Sequence, residues 1–314
     1  MASPLDATFG VWLVSIWLQT LLQGCGLLQA FLYFHWYPKD SWRIKAMVII
    51  LICIETFQIV LFFSITYFYL IDEFGNFTNL DVIYWQDSAQ LFVTYLSAFI
   101  VQLYFGYCIY VLDKKHLVLP IIILVLALTQ IAAGLAQTVL THRVHLFSDL
   151  ESTKPVTTLE AASALCCDLT ITFSLLYRLK KHKGGVKTTD SVLNTLMVNA
   201  VNRGMLTAIC AAINMILFIA KPNTFYFFIG LLLSGKLYMN SALATLNSRK
   251  HVIAKSQGTS DEPSSGRWNS IQMEPRRGRT QDNAEVRIVV DQQSHVERDS
   301  DMDVKKPRYM EGIA

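Results

Sequence analysis

The chain has 314 residues, 53% of them hydrophobic and 16% charged, with a formal net charge of +3. That length suits one large or two ordinary soluble domains, but residues 1–250 hold only 17 Lys and Arg and 13 Asp and Glu, whereas residues 251–314 hold 10 and 11. The first 250 residues are too apolar for a water-soluble fold. The small positive excess concerns loop placement in a membrane and has no bearing on nucleic acid.

Seven apolar segments follow in chain order, at residues 9–34, 46–71, 88–112, 117–140, 156–179, 192–220 and 222–247. Each reaches the roughly 20 residues that a helix needs to cross a bilayer. A β-barrel would instead show alternating segments of about ten residues. Residues 1–8 carry no basic side chain, and the first apolar run is about twice a usual signal-peptide core, so it is read as helix 1 rather than a cleaved leader. The fifth segment carries Glu160 and Asp168 and is diluted by Thr and Ser. A six-span protein with that segment as a re-entrant or surface helix is the alternative.

The fold class is therefore all-α, a polytopic seven-transmembrane helix bundle. Positive side chains resist translocation, and the odd-numbered loops hold ten Lys and Arg against three for the N-terminus and the even-numbered loops. This puts the N-terminus (1–8) outside, the helical domain at 9–250 and the C-terminus in the cytoplasm, in the plasma membrane or another membrane of the secretory pathway. The acidic second loop, with Asp72, Glu73 and Asp81, holds the sequon Asn76-Phe77-Thr78, a glycosylation site if modified and a plain loop asparagine if not. All six cysteines fall inside spans, where they suit packing rather than disulfides.

Residues 251–314 are rich in Ser, Asp, Glu, Arg, Gln and Pro and read as a disordered cytoplasmic tail able to recruit protein partners. Within it, Val286-Arg287-Ile288-Val289-Val290 is β-prone. Arg267-Trp268-Asn269-Ser270 and Arg277-Gly278-Arg279-Thr280 resemble basic-directed phosphorylation sites.

Four ionisable residues lie inside spans away from their ends: Glu55, Asp168, Arg203 and Lys236. Such residues are costly in hydrocarbon, face the bundle interior and pair or mark function. A rise of about 1.5 Å per residue places Glu55 and Asp168 roughly 15 Å, and Arg203 and Lys236 roughly 18 to 20 Å, from the inner flank. Two acids and two bases thus share one layer. Asp168 and Arg203 lie on sequential antiparallel helices and form the easier pair, whereas Glu55 reaches Lys236 only if helix 7 closes beside helix 2. Around them stand Gln19, Gln23, Gln58, Gln102, Gln130, Asn199, Asn202, Asn214 and Asn240, whose plainest role is interhelical hydrogen bonding. For the charged residues, function and structural specificity remain open alternatives.

Catalytic and cofactor readings lack parts. Lys236 sits where a retinal Schiff base forms, but helix 3 has acids only at its ends, Asp87 and Asp113. The seven histidines (His35, His116, His142, His145, His182, His251, His295) fall in loops or the tail, which leaves an intramembrane zinc hydrolase without ligands and Ser234-Gly235 without a histidine partner. Helix 3 lacks an acid-Arg-Tyr triplet, helix 7 lacks Asn-Pro-x-x-Tyr, and helices 1–3 do not repeat in 5–7. No enzyme, metal or cofactor is expected.

Four stretches carry a family resemblance. They run from Tyr33 through His35-Trp36-Tyr37-Pro38-Lys39-Asp40-Ser41-Trp42 to Lys45, then Thr189-Asp190-Ser191, then Asn202-Arg203-Gly204 with Leu206-Thr207, and finally Lys236-Leu237-Tyr238-Met239-Asn240-Ser241 to Arg249. Over residues 9–250 the chain resembles an uncharacterised seven-helix membrane family abundant in basidiomycete fungi, domain of unknown function 6534. Thr188 departs from the arginine expected there. The resemblance implies topology and fungal origin and transfers no catalytic or ligand-binding residue. Two function classes remain. One is a receptor-like sensor with an outward pocket for an unknown ligand, a basic third inner loop and a recruiting tail. The other is a secondary transporter of a small solute or proton that uses the charged layer. A structural membrane protein is the plainer third.

Overall fold

A computed structural model describes residues 5–112, 114, 116–181, 187–221 and 224–256, without side-chain detail at 187–197, 199–200, 203 and 251–256. All lie in the first of two units of the chain, Met1–Glu262. The expected features from residue 257 onward, including the β-prone patch and both phosphorylation-like motifs, fall outside the described residues.

Seven α-helices make up the described part: α1 (Val11–Trp36), α2 (Trp42–Tyr67), α3 (Trp85–Leu112), α4 (Val118–Val144), α5 (Lys154–Lys181), α6 (Lys187–Ala220) and α7 (Phe227–Ser256). There is no strand among the described residues, only an isolated bridge between Val82 and Leu146. Local chemistry sets the helix ends. Pro120 and Pro155 sit in the first turns of α4 and α5, where a missing N–H costs nothing. At the other end of α4, His145 adopts a left-handed cap with φ 62°. At the start of α3, the Asp87 carboxylate reaches back to accept the Tyr84 N–H at 2.9 Å, as in a capping box.

Six of the helices are long and apolar enough to cross a membrane, including the fifth, at Phe147–Lys181. In α6, only Gly204–Ala220 shows as a shorter apolar helix among the described residues. Exposed side chains such as Trp17, Phe31, Phe63, Val125 and Phe173 give the bundle an apolar exterior on nearly every helix, as expected of a multi-pass membrane protein bathed in lipid.

Consecutive helices pack side by side, α7 returns beside α1, and α3 lies against α5 and α7 as well as its chain neighbours. Two apolar clusters fill the interior. One, around Tyr33, Leu51, Phe105, Ile109, Met239 and Leu243, lies toward the α1–α2 and α3–α4 connections. The other, around Trp12, Phe62, Tyr69, Phe147, Phe225 and Phe228, closes the opposite end. There the connections are stitched together over the rings. Ile83 N–H donates to the His145 carbonyl at 2.8 Å, and Phe225 N–H to the Ala7 carbonyl at 2.9 Å. The Ser148 hydroxyl donates to Asp81 at 2.6 Å.

Several helix ends differ from the expected apolar segments, among them the start of α6, at Lys187 rather than 192. The seventh helix starts at Phe227 rather than 222, because Phe225 is held in the stitched turn before it. It also continues to Ser256, past the expected boundary at 250. His35 and His142, expected in loops, occupy the last turns of α1 and α4.

Candidate functional site

Between the two apolar clusters lies a polar layer centred on α7. Lys236 is fully buried, and its ammonium donates to the Glu55 carboxylate, to the Glu55 carbonyl at 2.8 Å and to Gln58 Oε1 at 2.6 Å. Its three N–H donors thus meet three acceptors on one turn of α2, which compensates a charge that hydrocarbon alone would exclude. Gln58 passes the connection on, its amide donating to the Thr94 hydroxyl on α3 at 3.1 Å. Gly235 supplies the room: a Cβ there would stand 2.9 Å from Glu55 Oε1. The Ser234-Gly235 step thus serves space beside the ion pair.

One turn on, Asn240 faces α1. Its amide donates to the Leu22 carbonyl at 2.9 Å and its Oδ1 accepts from Gln29 at 3.0 Å. Asn247 repeats the pattern lower down, donating to the Gln29 carbonyl at 2.7 Å. Beyond it, Arg249 and Asp40 meet at 2.5 Å, the Tyr33 hydroxyl donates to Asp40 at 3.1 Å, and the Arg249 guanidinium lies 4.3 Å above the Tyr37 ring. Burial pushes the Tyr37 phenol up, against the opposing pull of Arg249. This clamp fastens the α1–α2 connection to the end of α7.

On the other side of α7, the Tyr238 hydroxyl donates to Asp168 of α5 at 2.7 Å, and both residues are buried. The Arg203 side chain, the expected partner of Asp168, lies outside the described residues, as does that of Asn199. Asn202 is exposed, whereas Gln19, Gln23, Gln58, Gln102, Gln130 and Asn214 are buried as expected of an interior amide belt. Asn76 is exposed on the α2–α3 connection, donating to Glu73 at 2.9 Å.

Two buried acids were not among the expected layer. Glu160 of α5 accepts from Gln130 of α4 at 3.1 Å, and Asp87 accepts from the Tyr69 hydroxyl at 2.7 Å. Both lie near helix ends, where depth counting from the flanks places them close to water. The stitched connections and aromatic rings cover that end instead. Glu160 also lines an interior cavity of about 20 Å³ together with Gln130, Thr207, Asn214, Ser234 and Tyr238.

Against known proteins, the model of a family of unknown function, DUF6534, matches residues 164–251. No curated protein and no solved structure matches the chain. The match spans the second half of α5, all of α6 and α7 to its last turns, a shorter stretch than the resemblance over 9–250. It takes in Asp168, Arg203, Lys236 and Asn240 and leaves out Glu55, Gln58, Gln130 and Glu160. Half of the polar layer therefore lies within the family's recognisable part and half beyond it.

Proposed function

We propose that the chain is a seven-span member of this family, of basidiomycete origin, with its N-terminus outside and its C-terminus in the cytoplasm, and that it works as a receptor-like sensor without catalytic activity. The observation that carries the reading is the Lys236 junction. A charged side chain of α7 is sealed on α2 between two apolar clusters, which supports a lock between helices over a station on a path. Breaking the lock frees α7, whose far end carries the Arg249–Asp40 clamp and leads into the tail. The ten-to-three distribution of loop cations supports the orientation. Asn76 is then on the side where glycosylation occurs.

At the end expected to face outward, aromatic rings pack the centre and leave about 30 Å³ beside Phe147 and Phe225, while an open groove of about 530 Å³ runs along Ile59, Phe63, Tyr67, Asp72 and Gln86. We also infer that Arg203 neutralises Asp168. The helices approach closely there, since a Cβ on Gly204 would come within 2.9 Å of the Thr172 Cβ, one turn from Asp168.

A transporter is the competing reading, and a flux measurement separates the two. Wild-type protein in vesicles loaded with a pH-sensitive dye should pass protons no faster than protein-free vesicles. Lys236→Gln should meanwhile speed hydrogen exchange in the last turns of α7. Proton flux above the empty-vesicle rate would overturn the sensor in favour of transport.

A further inference from the structure

We infer that the cavity between α3, α4, α5, α6 and α7 is a binding site for one monovalent cation of sodium size, held by the Glu160 carboxylate and a ring of neutral oxygens.

The chemistry of the lining carries this. The Ser234 hydroxyl has already donated its proton, to the Leu231 carbonyl at 2.6 Å, and therefore presents lone pairs to the interior. The Thr94 hydroxyl donates to the Gln90 carbonyl at 3.0 Å and accepts from Gln58 at 3.1 Å, which leaves it one lone pair. Gln130 gives its amide N–H to Glu160, which leaves its Oε1 without a partner, and Asn214 Oδ1 is without one as well. Both residues line the cavity and are more than nine-tenths buried. Among the described residues, no Lys, Arg or His lines it. A buried carboxylate, two unpartnered amide oxygens and the Ser234 hydroxyl oxygen form a surplus of acceptors, which is costly in a low-dielectric interior unless something positive sits among them.

Size and charge narrow the occupant. At about 20 Å³ the cavity has room for roughly one water-sized sphere. An all-oxygen lining suits a hard cation. The one carboxylate in the lining balances one positive charge, and a divalent ion would leave a charge uncompensated. A lone water donates only two hydrogen bonds and leaves most of the acceptors unmet.

The backbone is shaped to the same end. Small residues, Ala98, Ala161, Ala164 and Ala211, keep the space open. At Gly230 a Cβ would stand 2.5 Å from the Cys210 carbonyl and 2.8 Å from the Asn214 nitrogen, so the glycine lets α7 approach α6 where Asn214 turns toward the cavity.

The test uses the full chain in detergent, unfolded by heat in sodium, potassium or N-methyl-D-glucamine chloride at equal ionic strength. Wild-type protein should be stabilised by sodium, with the folding equilibrium rising about tenfold for each tenfold of sodium above its Kd. Glu160→Gln should remove the sodium effect, and the milder Ser234→Ala should raise the sodium concentration needed several-fold. Sodium-23 line broadening, present with wild type and lost with Glu160→Gln, reads binding directly. Equal stability of the wild type in all three salts would overturn the site in favour of a trapped water, whatever the variants do. So would a sodium effect that survives Glu160→Gln.

Discussion

At the scale of single residues, the Lys236–Glu55 pair dominates the energetics of the core. Removing one charge leaves the other stranded in low dielectric, at a cost of about 3 to 5 kcal/mol, whereas removing both leaves a neutral gap. Lys236→Met and Glu55→Gln should each lower thermal stability sharply, and the double variant should recover most of the loss. Additive losses in that cycle would mean that the two act separately. Gly235→Ala provides an independent check, since its methyl group would press on Glu55 Oε1 and should cost about 1 to 3 kcal/mol while leaving both charges in place. Much of this layer was legible in the sequence, because helical rise alone sets depth and depth put Glu55 and Lys236 at one level. Glu160 and Asp87 were not, because Asp87 is buried under the α2–α3 connection and Glu160 between helices against Gln130, and no count along a single helix contains either neighbour.

At the scale of elements, α7 is the hub, bonded through Lys236 to α2, Asn240 to α1 and Tyr238 to α5. The seven helices were legible from apolar run lengths. Their ends were less so, since the α6–α7 turn is fixed by a long-range bond from Phe225 to Ala7 and α7 runs on to Ser256. At the aromatic end the rings pack on one another. The Trp12 ring lies tilted against Phe62 at 4.5 Å and edge-on to Phe228 at 4.9 Å between centroids, and its indole N–H donates to Thr66 at 2.7 Å. Trp12→Ala should cost about 3 to 5 kcal/mol, and Trp12→Phe distinctly less, in thermal unfolding of detergent-solubilised protein. A Trp12→Ala protein as stable as wild type would show that this end contributes no closure. Gly230→Ala should likewise weaken the α6–α7 contact by about 1 to 3 kcal/mol.

For the whole molecule, orientation is the first quantity to fix. A reporter that matures only in the cytoplasm should be active after Ala314 and silent before Met1, and the opposite pattern would reverse the loop assignment and place Asn76 beyond the reach of glycosylation. Shortening the chain belongs to the same scale, and the extent of α7 sets where to cut. Truncation after Ser256 should preserve insertion and thermal stability, whereas truncation before Arg249 removes the Asp40 clamp and should lower the melting temperature. Similar stability of the two truncations would show that the clamp is dispensable.

Cys166 and Cys167 are adjacent in the chain but face opposite directions, one exposed on the bundle exterior and the other fully buried with its thiol toward the Ile123 carbonyl at 3.8 Å. The native sequence therefore carries its own fluorescence assay. With the other thiols changed to serine and Cys166 with them, a maleimide dye that lights up on alkylation stays dark until the interior opens, so Cys167 alone reports every variant on a common scale.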